Sequence, residues 1–141
     1  MTVTIVIEAE DDFQIVTADE TFVPVETTKS ISFTRVLSVA SSSQVITGIG
    51  FMPRLVLFQA AVYNTVWASF GQASSTSQTY LESYIGVGNY PFPTAAGIVR
   101  DGAAAYQTFT VASFDDDGFT LAWLRYGSPT ATATINANCF R

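Results

Sequence analysis

Gly48–Ile49–Gly50–Phe51–Met52–Pro53, followed by Arg54–Leu55–Val56–Leu57–Phe58–Gln59–Ala60–Ala61–Val62–Tyr63, is the stretch whose reading decides the fold. The two glycines and Pro53 predict a bend. The ten residues after it predict one long strand. Side chains alternate faces along a strand, so a strand with water on one side should alternate apolar and polar residues. Here Leu55, Leu57, Gln59, Ala61 and Tyr63 fall on one face, and Val56, Phe58, Ala60 and Val62 on the other. Both faces are largely apolar. The expectation is a strand covered twice, once by its own core and once by a neighbouring subunit.

The rest of the chain suits that picture. At 141 residues it is the size of one domain with a sizeable core. Charged residues make up 13% of the sequence, about half the usual share, which favours a protein with much of its surface covered by partners. The net charge is −6 with a single lysine, Lys29, which argues against nucleic acid as a partner, since phosphate contacts need clustered Lys and Arg. No apolar run approaches the ~20 residues that cross a bilayer, so no membrane partner is expected. Glu8, Glu10, Asp11 and Asp12 come too early for a signal peptide, which leads to the expectation of assembly in a cell's cytoplasm. Cys139 is the sole cysteine, which rules out an internal disulfide and predicts a small buried side chain.

Turn signals divide the chain. Residues 1–29 are acidic, with strand-like pieces at 2–7, 13–16 and 21–25, and read as an extended N-terminal arm or peripheral hairpin. Residues 30–141 read as one β-sandwich domain. Residues 30–40 alternate, with Ile31, Phe33, Arg35, Leu37 and Val39 on one face. Asn64–Thr65 predicts a tight turn into a hairpin partner at 66–71. Residues 72–79 read as a polar loop and 80–85 as a strand. Residues 86–96 read as a loop, because Pro91 and Pro93 oppose ladder pairing. Asp115–Asp116–Asp117–Gly118 predicts a turn between strands at 106–114 and 119–126, and residues 130–140 close the chain as a last strand. No window sustains a 3.6-residue apolar period. Many short strands spaced by turns indicate an all-β antiparallel sandwich or jelly roll.

Two of these segments carry a resemblance. Residues 46–58, Ile–Thr–Gly–Ile–Gly–Phe–Met–Pro–Arg–Leu–Val–Leu–Phe, resemble the "tGfGFxPk-x-V-x-F" opening of small β domains in tailed-bacteriophage virion proteins. Residues 114–123, Phe–Asp–Asp–Asp–Gly–Phe–Thr–Leu–Ala–Trp, resemble the "fdxdGFtltw" hairpin near the end of the same domains. The resemblance spans residues 44–141 and implies a place in the virion, in tail fibres, tail tips or on the capsid. Nothing fibrous precedes the domain, so the expectation is a small stand-alone component.

Chemistry is sparse. With no histidine, Ser–His–Asp, Cys–His and histidine-metal sites are excluded. Glu82 and Asp101 form a conceivable glycosidase pair, but nothing in the sequence brings them together, and surface carboxylates are the simpler reading. The three consecutive aspartates do not follow the alternate ligand spacing of a calcium loop, so a metal-free turn is the simpler reading there. Trp67, Tyr84, Asn89, Tyr90 and Phe92 suit either a sugar platform or ordinary packing.

The expectation that results is a non-enzymatic capsid decoration or cement protein without cofactor or metal. It would form a homotrimer and bind the major capsid protein or other virion proteins. The residues expected at its interfaces are Val56, Phe58, Val62, Trp67, Tyr84, Tyr90 and Phe92. The alternative is a receptor- or glycan-binding module of the tail or baseplate.

Overall fold

The computed structural model describes the backbone of residues 3–9, 12–18, 27–84, 88–92 and 94–141, and the side chains of residues 27–84 and 94–141. The described chain is all β. β1 (Val3–Ala9) and β2 (Asp12–Ala18) pair with each other as an antiparallel hairpin. The strand piece expected at 21–25 lies outside the described residues.

The remaining strands form a two-layer sandwich. One sheet has six strands in the order β3 (Thr28–Val36), β12 (Thr132–Phe140), β5 (Leu55–Val62), β6 (Trp67–Ser74), β7 (Gln78–Tyr84) and β8 (Gly88–Phe92). The other has four, in the order β4 (Ser42–Ile46), β11 (Gly118–Tyr126), β10 (Ala105–Asp115) and β9 (Gly97–Gly102). All neighbouring strands are antiparallel.

The long strand after the bend is β5, at the centre of the larger sheet. Val56, Phe58, Ala60 and Val62 point into the sandwich and are buried. The Phe58 ring meets Phe109 and Phe119 edge to face, at 5.2 and 5.7 Å between centroids, a geometry that adds to the stability from area burial alone. Cys139 is fully buried opposite Val56 in register, and burial pushes its thiol pKa up to about 11.

The two motif segments meet in space. Gly48 and Gly50 both have φ of +85°, a backbone conformation that glycine adopts without steric cost. In this conformation the amides of Gly48 and Gly50 donate to the Asp117 carboxylate at 3.0 and 2.6 Å. The Ile49 amide donates to the Asp117 carbonyl at 3.2 Å. The bend before β5 is thereby fastened to the β10–β11 turn, and Ile49 and Phe51 drop into the core.

A polar network holds the crossing from β3 to β4. Arg35, on the inner face of β3, is buried. It donates through Nε to Gln107 Oε1 at 3.0 Å, and through Nη2 to the Ala40 carbonyl and the Ser42 hydroxyl. Gln107 in turn donates to the carbonyls of Leu37 and Val39. Every partner of Arg35 in this network is neutral, and desolvation lowers the guanidinium's pKa. The strand expected over 30–40 stops at Val36 for this reason: Leu37 and Val39 turn their carbonyls to Gln107, and the Val39 side chain is exposed.

Two expected loops are strands. Residues 72–79 contain the end of β6 and the start of β7, separated by a three-residue turn at 75–77. Ala73 fills the core on one side of that turn. On the other, Gln78 bridges to both the amide and the carbonyl of Val111. Residues 88–92 form β8 despite Pro91, because β8 is the edge of its sheet and an edge strand tolerates a residue without an N–H.

Candidate functional site

Two surfaces of the sandwich carry more than solvation requires. The first is the outer face of the six-stranded sheet. The outward positions of β3, β12, β5, β6 and β7 hold Ser, Thr, Asn, Gln, Ala, Val, Leu and Phe. Not one is Asp, Glu, Lys or Arg. An antiparallel sheet with one wet face normally displays charged residues there. At the middle of this face stand Leu57, Phe70 and Leu81, at 36%, 48% and 37% exposure. The register sets Phe70 directly between Gln59 and Leu81, with Leu57 one diagonal away, opposite Gln72. They line a shallow depression of about 820 Å³ together with Gln59, Gln72 and Thr79.

The open apolar residues of β5 are not the ones expected at an interface. Val56, Phe58 and Val62 lie in the chain's own core, with at most 5% exposure, so they face no partner. The open apolar residues are those that alternate with them. The doubly apolar pattern could not say which face turns inward. The pairing of β5 with β12, where Val56, Phe58 and Ala60 meet Cys139, Ala137 and Ile135, makes that choice.

The second surface lies where the larger sheet overhangs the smaller. β9 packs its edge onto the inner face of β6. The Ile98 amide donates to Ser69 Oγ at 3.2 Å, and a side chain at Gly71 would stand 1.8 Å from the Ala96 carbonyl oxygen. The inner face of β7 brings in Tyr80, Glu82 and, partly buried, Tyr84. The outer face of β9–β10–β11 brings Ile98, Arg100, Tyr106, Thr108, Leu124 and Tyr126. Tyr80 of β7, Thr94, Ala95 and the outer face of β9–β10–β11 line a groove of about 550 Å³.

A buried ion pair and aromatic stacking fix Arg100, Tyr106 and Tyr126 in the groove's lining. Glu82 is 2% exposed. Its two oxygens accept from Nε and Nη2 of Arg100, and Arg100 Nη1 donates to the Ala103 carbonyl at 3.1 Å. The guanidinium carbon sits 4.2 Å from the Tyr106 ring centre and 5.3 Å from that of Trp67, both within cation–π range. Tyr106 stacks on Tyr126 at 4.6 Å, and Trp67 on Tyr84 at 4.0 Å. Burial, reinforced by the nearby Glu82 charge, pushes the Tyr80 hydroxyl up to about 12.

Of the residues expected to bind, Trp67 and Tyr84 stack on each other beside Arg100, outside the groove's own lining. The side chains of Asn89, Tyr90 and Phe92 lie outside the described residues; their backbones pair with Ser83, Glu82 and Tyr80. Glu82 and Asp101 hold different partners. Asp101 accepts from the amides of Thr130 and Ala131 and from the Thr130 hydroxyl, and the two amide bonds hold its carboxyl below the usual range. Asp117 is held down in the same way by the Gly48 and Gly50 amides. Among the described residues no group of three His, Cys, Asp or Glu side chains is placed to hold a metal ion. Arg100, Tyr106 and Tyr126 escaped sequence reasoning, because only strand register sets them beside one another.

Comparison with known protein families, with curated proteins and with solved structures returned no match.

Proposed function

We propose that this protein is a non-enzymatic structural module that self-associates through the outer face of its six-stranded sheet. The charge-free character of that face carries the reading. Depletion of charge around a central aromatic and aliphatic patch is the compositional mark of an interface core. A second copy is the fitting occupant. The chain's net charge is −6, so copies repel across most contacts, and this is a broad surface where two can meet without opposing like charges. Five strands ~4.8 Å apart and about eight residues long give a plan area of roughly 600 Å². A standard interface takes about 800 Å² from each partner, so the face is of the required order.

The resemblance at residues 46–58 and 114–123 supports a place for the module on a tailed-phage virion, as a decoration or cement protein bound to the major capsid protein. The copy number of the chain in purified virions, by quantitative mass spectrometry, tests that placement. A ratio comparable to the capsid protein supports shell decoration, and a ratio far below it moves the chain to the tail. Self-association is tested separately by Phe70→Lys, which sets a charge at the centre of the face. The expected outcome is a monomer with the wild-type circular dichroism spectrum. An unchanged oligomer would place the interface elsewhere.

A further inference from the structure

We propose that the groove between β7 and the β9–β10–β11 face is a binding site for an uncharged saccharide. It opens on the inner side of β7, away from the self-association face, so either reading can fail without the other.

The groove's volume, about 550 Å³, is in the range of small-ligand sites. Its chemistry narrows the ligand. Arg100 is its cation, and Glu82 cancels that charge across two contacts. A phosphate, carboxylate or ammonium group entering here would meet no net opposite charge. A buried ion pair adds little stability, and an apolar pair of similar volume does as well. What the pair does provide is an Arg100 guanidinium held in place in the groove's lining. The guanidinium is fixed against the Tyr106 ring, and Tyr106 against Tyr126. Tyr126 remains 40% exposed. On the same strand face as Tyr106, the hydroxyls of Thr108 and Thr110 make no hydrogen bond among the described residues. Each can both donate and accept.

A sugar ring matches this pattern term by term. Its C–H face is apolar and stacks on a tyrosine. Its hydroxyls donate and accept, so they pair with threonine hydroxyls and with the outward hydrogens of a guanidinium. It carries no charge to be desolvated. A fully apolar ligand would leave the hydroxyls of Thr108 and Thr110 unanswered, at the cost of buried polar groups without partners.

The test uses the full chain and, as probes, tri- to pentasaccharides of glucose, galactose, mannose and N-acetylglucosamine, each titrated to about 10 mM, where even millimolar binding registers. Chemical-shift changes are followed in a two-dimensional NMR spectrum. At least one probe is expected to shift the resonances of Arg100, Tyr106 and Tyr126. Tyr126→Ala should weaken binding about tenfold, in line with the contribution of one stacking contact, and Tyr126→Phe should restore it. Phe70→Lys should bind as wild type. No shift with any probe would overturn the proposal. So would binding that ignores Tyr126→Ala in a folded variant. Shifts at Tyr126 produced only by a proline-rich peptide would overturn it in favour of a peptide groove.

Discussion

Asp117 joins stretches 67 and 69 residues apart with one carboxylate. Because backbone amides stabilise its charged form, its pKa is lower in the folded than in the unfolded chain. The same holds for Asp101. A depressed carboxylate contributes stability above its unfolded pKa of about 3.9 and loses it as pH falls through the lower folded value. The chain should therefore hold its stability from neutrality to about pH 4 and weaken below that. Asp117→Asn should lower the melting temperature at pH 7 and make the acid limb shallower, as read from thermal melts at stepped pH. An acid limb as steep as wild type would show that other carboxylates govern it. Gln107 makes a second residue-scale case. It is fully buried, and its amide joins Arg35 to two backbone carbonyls. Gln107→Leu should cost on the order of 3 kcal/mol in a urea melt, because a buried guanidinium and two carbonyls lose their partner.

At the scale of elements, alternation and turn chemistry made most strands legible. β5, β10, β11 and β12 stand where the sequence pattern puts them. The failures have physical causes. Pro91 is tolerated because β8 is an edge, and edges are a property of the sheet that no single strand's sequence contains. The serine-rich run at 72–79 hides two strand ends, because Ala73 and Gln78 find their partners in β5 and β10. Arg35 on an otherwise apolar face makes sense only once Gln107 is known to lie opposite it. The groove was least legible of all. Trp67 and Tyr84 could be singled out as aromatics, but their tie to Arg100 and Tyr106 depends on β9 docking under β6. That docking needs Gly71, where a side chain would strike the Ala96 carbonyl. Gly71→Ala should therefore cost about 2 kcal/mol or more, as overpacking does, and should disturb Trp67 fluorescence. Wild-type stability and an unchanged spectrum would show that β9 sits more loosely than described.

At the scale of the whole molecule, the charged and uncharged surfaces are segregated. The described carboxylates lie in turns, at strand ends or, as Glu82, paired with Arg100, while one entire sheet face is without charge. The low charge content led to the expectation of covered surface, and the outer face of the larger sheet is the broad uncharged surface to which the proposal assigns it. Sedimentation velocity of the wild-type chain beside Phe70→Lys tests this most directly, across about 1–100 μM to span ordinary interface affinities. Self-association through this face predicts a concentration-dependent oligomer for the wild type and a folded monomer for the variant. A wild-type chain that stays monomeric throughout that range would contradict it.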